Sequence, residues 1–138
     1  MISQKAKFGI GNYLEKIIKS RLHLADSGSK FFDACDLENK VAYEIKVTSI
    51  SVLHTPRPHG LGRIFLSRDE HERFKKLADE KDLKPFYLFG VYYFNARKPT
   101  LETVRIADWE FVNNFCKGRA HFRIPLQVLG LLKEPLII

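Results

Sequence analysis

Cysteine is nearly absent from this sequence. Cys35 and Cys116 are the only two in 138 residues, too few for a disulfide framework and without the spacing of a metal site. Both are expected to be buried small hydrophobes in a reducing compartment. No apolar run approaches the roughly 18 consecutive residues of a membrane span, and no N-terminal apolar stretch resembles a signal peptide. A cytoplasmic protein without a membrane partner is therefore expected. Acidic residues are also short: 16 Asp and Glu stand against 23 Lys and Arg, a net charge of +7 and a pI near 9.5. That imbalance favours a polyanionic partner, because Lys and Arg displace the counterions condensed on phosphates. Internal repeats and low-complexity stretches are missing too. What remains is an ordinary soluble composition, 45% hydrophobic and 28% charged. The chain is long enough for one core and too short for two, so residues 1–138 are expected to form a single domain.

The most informative stretch is residues 30–47. Val41, Tyr43, Ile45 and Val47 alternate with Ala42, Glu44, Lys46 and Thr48, the period of a half-buried strand. The apolar set faces a core, which leaves Glu44 and Lys46 side by side on the opposite face. With Glu38-Asn39 as the tip of a two-residue hairpin, Leu37 pairs with Lys40, and counting back sets Asp33 opposite Glu44. Directly opposed residues share a face, with Cβ atoms roughly 4.5–5.5 Å apart. Asp36 pairs with Val41 by the same count and points the other way. Two carboxylates so close repel each other unless a cation lies between them. Mg²⁺ suits such a place, since it prefers oxygen ligands and keeps several waters. Lys46 could then bind a phosphate or help activate a water. The competing reading is an ordinary surface salt-bridge cluster.

Asp33, followed by Glu44-Ile45-Lys46 in an apolar strand, resembles the signature of the PD-(D/E)XK nuclease superfamily, which includes many type II restriction endonucleases and archaeal Holliday junction resolvases. Phe32 stands where the motif's name has proline. The resemblance covers residues 8–95 well and the C-terminal third loosely. It implies an α/β (α+β) fold with a restriction-endonuclease-like core, a central mixed β-sheet flanked by helices. It also implies Mg²⁺-dependent phosphodiester hydrolysis, with Mn²⁺ as the substitute ion. Asp33 and Glu44 would hold the metal, joined by the main-chain carbonyl of Ile45 and by Glu15 from the first helix. Lys46 would position or deprotonate the attacking water, or offset developing negative charge. Among the activities implied, a small type II restriction-like enzyme acting on double-stranded DNA as a homodimer comes first. A Holliday junction resolvase or other structure-specific nuclease comes second. A non-catalytic DNA-binding subunit is the reading from a different class.

The rest of the chain supplies a frame. Ile10, Leu14, Ile17, Ile18 and Leu22 recur at helical spacing, and Gly9 and Gly11 set the helix start near residue 11 or 12, after a frayed lead-in. Lys16, Lys19 and His23 take its polar side. Glu15 sits at the edge of the apolar stripe, where it either reaches the site or pairs with Lys19 at i+4. Asp26-Ser27-Gly28-Ser29 signals a loop. Residues 54–63 hold two prolines, two glycines, two histidines and two arginines and cannot be regular structure. Within them His54, Arg57, His59 and Arg63 are the candidate DNA contacts, to phosphates or a guanine edge; otherwise the segment is a solvated connection.

Ile64-Phe65-Leu66 is a short strand, and Ser67-Arg68-Asp69-Glu70 a capping box that opens a helix through Lys81. Phe74, Leu77 and Ala78 should face inward, with His71, Arg73, Lys75 and Lys76 on or near the polar side. Residues 86–94 are apolar on both faces, as in a central strand covered from both sides. A turn at 95–100 and a strand over Thr103–Ala107, antiparallel to it, follow. Asp108 caps a short helix over 109–115, residues 121–126 are extended, and the apolar tail from Leu129 to Ile138 packs on the body or forms a subunit interface.

Overall fold

The computed structural model describes residues 4–27, 32–49 and 63–132. The elements run α1 (Gln4–Arg21), β1 (Ala25–Asp26), β2 (Ala34–Asp36), β3 (Val41–Ser49), β4 (Arg63–Ser67), α2 (Arg68–Glu80), β5 (Lys84–Asn95), β6 (Lys98–Asp108), α3 (Trp109–Asn113), β7 (His121–Pro125), a 3₁₀ turn (Leu126–Val128) and β8 (Gly130–Leu131). Six strands form one sheet in the order β1-β2-β3-β5-β6-β8, and β4 and β7 form a separate two-stranded ribbon. β3 and β5 are parallel while the other pairs are antiparallel, so the sheet is mixed, in agreement with the fold that the resemblance implies. Among the described residues no helix is long and apolar enough to cross a membrane.

β5 lies inside the sheet because its side chains leave it no wet face. Tyr87 to Tyr92 are buried without interruption. On one face Leu88 and Tyr92 join Ile45, Leu101 and Val104 against Leu14 and Ile18 of α1. On the other, Tyr87, Phe89 and Val91 join Ala42 against Phe74 and Ala78 of α2, Val112 of α3, and Ile64, Leu66, Phe122 and Ile124 of the ribbon. Each such aliphatic or aromatic side chain, fully buried, contributes about 1.5–3 kcal/mol. Cys35 and Cys116 are both free and buried, as their apolar contexts suggest.

The hairpin has the expected register with a different turn. Ala34 pairs with Tyr43, Cys35 with Ala42 and Asp36 with Val41, but the loop is the four residues 37–40 rather than a two-residue tip. The Asp36 carboxylate takes hydrogen bonds from Asn39 N (3.1 Å) and Nδ2 (2.7 Å), and Lys40 turns the chain at a φ of 55°. Two extra residues, one on each side of the tip, leave the pairing sum unchanged, so Asp33 still lies one step beyond the last pair.

Several elements depart from the sequence expectation. α1 starts at Gln4 rather than near residue 11. Interior glycine costs a helix about 1 kcal/mol relative to alanine, and the packing of Leu14 and Ile18 on the sheet outweighs it. Ala25–Asp26 pairs with β2 instead of remaining loop. The segment 121–125 pairs with β4, and Gly130–Leu131 adds an edge to β6, so the start of the apolar tail packs on the body. Residues 133–138 lie outside the described residues.

The clearest correction is His71, expected on the polar side of α2. It is 1% exposed, because its imidazole finds partners for both ring nitrogens and an indole to stack on.

Candidate active site

β2 stops one residue short of Glu44, and that early ending opens the site. Asp33 N donates to Tyr43 O at 2.9 Å. Asp33 Oδ2 then accepts from Ile45 N at 2.7 Å, so a side chain takes the place a further strand residue would have held. Within a strand the N–H and C=O of one residue point to the same edge, which directs the Ile45 carbonyl to the Asp33 side of β3. Asp33, in the bend just before β2, also comes within hydrogen-bonding reach of the Glu44 carboxyl. Burial, then the hydrogen bond with Asp33 and that residue's negative charge, push the Glu44 carboxyl up to about 10; Lys46 opposes the shift and Glu70 adds to it. Glu44 thus keeps its proton at neutral pH.

Glu15 reaches the same spot from α1. Burial and then the charge of Asp33 raise its pKa, against the pull of Lys19, whose Nζ is 3.1 Å from Glu15 Oε1. The two readings of Glu15 are therefore compatible: it pairs with Lys19 and faces Asp33. Lys46 lies on the Glu44 face, two residues along the strand, with its Nζ 3.6 Å from Glu70 Oε2.

Glu70 was hidden in the sequence by the capping box. Half of that box forms, since Ser67 Oγ accepts from Glu70 N at 3.5 Å, while the Glu70 carboxylate turns to Lys46. The only signal for this was an acid in the first helical turn after the motif strand. The two side chains are 35% and 65% exposed, and exposed pairs of this kind contribute about 0–1 kcal/mol. Lys46 is held lightly and is available to an incoming anion.

Beside Glu44 lies a packed layer of uncharged aromatic side chains. Tyr87 is the parallel partner of Glu44 across β3 and β5; burial, then the charges of Glu44 and Glu70, raise its phenol pKa. His71 Nδ1 is 2.6 Å from the Tyr87 hydroxyl and Nε2 is 3.1 Å from Asn113 Oδ1. An amide oxygen only accepts, which makes Nε2 the protonated nitrogen and leaves Nδ1 to accept from the phenol. Burial lowers the His71 pKa to about 4. Trp109 stacks on the imidazole at 4.2 Å and 5°, and its Nε1 donates to the His71 carbonyl at 2.7 Å.

Asp33, Glu44, Ile45 and Glu15 thus come together, with Lys46 on the same face as Glu44. Arg63 sits elsewhere, exposed at the start of the ribbon. His54, Arg57 and His59 lie outside the described residues. Among the described residues no group of three or more His, Cys, Asp or Glu side chains is gathered in metal-binding geometry. Mg²⁺ asks for less than that, since it is held through one or two carboxylates and keeps several waters. Two neighbouring carboxylates, one retaining its proton against the ordinary value, fit such an ion: a cation would replace that proton. No protein-family model and no curated protein sequence matches this chain.

Proposed function

We propose that this chain is a Mg²⁺-dependent endodeoxyribonuclease of the PD-(D/E)XK type, with Mn²⁺ as substitute, working on duplex DNA as a restriction-like homodimer. The observation supporting this reading most strongly is the convergence of the Asp33 and Glu44 carboxyl groups, within hydrogen-bonding reach of each other, beside Lys46. Asp33 is fixed by the Ile45 amide, and Glu44 by its strand and the packed layer beside it. Both carboxylates, with the Ile45 carbonyl, would hold the ion, and Glu15 would stand behind Asp33. When bound, Mg²⁺ supplies Lewis acidity at a phosphate oxygen and at the attacking water. Lys46 exchanges its loose contact with Glu70 for the phosphate and offsets negative charge that grows in the transition state. The partial burial of Glu44 and Lys46 strengthens that attraction relative to open water. Glu44 must give up its proton before it can take a cation, so ion binding should be tighter at higher pH. A symmetric pair of subunits would place one such site on each DNA strand.

The test is direct. Plasmid DNA and a synthetic four-way junction are incubated with the protein in Mg²⁺, in Mn²⁺ and in chelator, beside Glu44→Ala and Lys46→Ala. Discrete plasmid fragments, absent in chelator and in both variants, are expected. Paired nicks confined to the junction would move the reading to a resolvase. Binding without cutting in either metal would make the chain a non-catalytic DNA-binding subunit.

A further inference from the structure

The β4–β7 ribbon is amphipathic, and of its outer face the nuclease reading uses only Arg63. Its inner side chains, Ile64, Leu66, Phe122 and Ile124, are all buried in the core. Its outer face carries Arg63, Phe65, His121 and Arg123, all exposed, and Arg119 in the preceding turn is exposed as well. Phe65 pairs directly with Arg123 across the ribbon. The guanidinium lies 4.6 Å from the ring centre, although 63% of Phe65 remains exposed. Arg63, Arg119, His121 and Arg123 line an open pocket of about 430 Å³ with no carboxylate in its wall. Among the described residues no ion pair engages any of these three arginines.

The patch is also held in place. Arg68 N donates to Ala120 O at 2.9 Å and Arg68 Nη1 donates to Gly118 O, which ties the turn bearing Arg119 to the first residue of α2. From there the chain needs two more residues to reach Glu70, the partner of Lys46. The ribbon and the candidate active site are therefore joined through a single helical turn.

We propose that this outer face docks in a groove of duplex DNA. The argument is charge and shape together. A two-stranded antiparallel ribbon fits the B-DNA major groove, about 12 Å wide, and five residues per strand span roughly 17 Å. Arg63, Arg119 and Arg123 meet phosphates or the O6 and N7 of guanine, while Phe65, ordered by Arg123, meets the apolar edge of thymine. The Arg123 guanidinium covers only part of the Phe65 ring, and a base edge would cover more of what is left exposed. The inference rests on the nuclease reading for its choice of duplex DNA, but it is tested apart from cleavage.

Binding of the full chain to a fluorescein-labelled duplex, and to one of its single strands, is measured by anisotropy in Ca²⁺ and in EDTA across a salt series. The variants are Arg119→Ala/Arg123→Ala and Phe65→Ala, with Arg97→Ala/Lys98→Ala on the β5–β6 turn as a charge-matched control. The arginine pair is expected to weaken duplex binding at least ~10-fold. It should also flatten the slope of log K against log salt by one to two, at about 0.9 for each phosphate the protein ceases to neutralise. Phe65→Ala is expected to weaken binding with the slope unchanged, and the control to bind within about twofold of the parent chain. Ribbon variants that bind like the parent, a control that weakens as much, or no duplex binding by the parent would overturn the proposal. So would tighter binding to the single strand that depends on Phe65, the mark of a stacking platform. Cleavage is scored in parallel. A chain that binds through the ribbon yet never cuts in Mg²⁺ or Mn²⁺ loses the nuclease reading and keeps this one. A chain that cuts while the ribbon variants bind normally does the reverse.

Discussion

At the scale of single residues, the electrostatics of the site and of the layer beside it run in opposite directions with pH. The folded pKa of Glu44 stands above the ordinary value of 4.5, near 10, so the folded chain holds a proton that the unfolded chain releases. Its contribution to stability is fully present below pH 4.5 and is lost as pH rises toward 10. Glu44→Gln keeps a donor for Asp33 and removes the charge. Urea unfolding of the metal-free chain at pH 8 should show it more stable than the parent by about 1–2 kcal/mol, with the gap closing toward pH 5. Mg²⁺ should raise the melting temperature of the parent, more at pH 8 than at pH 6, and leave Glu44→Gln unmoved. His71 behaves the other way. Its folded pKa is lowered from 6.5 to about 4, so its contribution is whole above pH 6.5 and is lost as pH falls toward 4, by up to about 3 kcal/mol. NMR should show the His71 ring resonances still those of the neutral imidazole at pH 5.5.

At the scale of elements, two close fits position the site. Gly90 of β5 faces α1, and a Cβ there would come within 3.0 Å of Ile18 Cδ1 and Val47 Cγ1 and 3.2 Å of Leu101 Cδ2. The absent side chain lets the helix carrying Glu15 lie close on the sheet. Gly90→Val should cost about 1–3 kcal/mol by overpacking, read as a lowered melting temperature, and should weaken Mg²⁺ stabilisation further by displacing α1. The helix caps differ in quality. Asp108 Oδ1 accepts from Phe111 N at 2.7 Å, while the Ser67 cap is long at 3.5 Å. Asp108→Ala should therefore destabilise the protein by about 1 kcal/mol and Ser67→Ala by less, both measured by chemical denaturation. The difference matters at the site because α3 carries Trp109 and Asn113, two of the three partners that hold His71 against Tyr87, the strand neighbour of Glu44.

At the scale of the whole molecule, a basic chain with its candidate chemistry at one end of α2's first turn and a basic ribbon at the other has a direction. If the ribbon holds DNA as proposed, the duplex would lie beside the first turn of α2, where Glu70 meets Lys46 of β3. If two chains act as a symmetric pair, sedimentation should give two chains per short duplex. Supercoiled plasmid should then pass to the linear form without accumulating nicked circles. Persistent nicked circles would remove the dimer and leave the site as it stands.

Much of the site was legible from local chemistry. The period-2 alternation of residues 41–48 and the count across the turn put Asp33 beside Glu44, and a loop lengthened by one residue on each side preserves that count. The unbroken apolar run of β5 announced a strand covered on both faces, and Asp108 announced a helix start. What the sequence could not carry was set by contacts between distant segments. His71 reads as one more polar residue on a charged helix until Tyr87, Trp109 and Asn113, up to 42 residues away, satisfy it in the core. Glu70 reads as half of a local capping box until Lys46, on another element, offers its carboxylate a better partner. The ribbon exists only because β4 pairs with a strand more than 50 residues later. Local pattern determines which side chains share a face; only the tertiary structure decides which faces meet, because burial and charge pairing depend on neighbours the chain does not place in sequence.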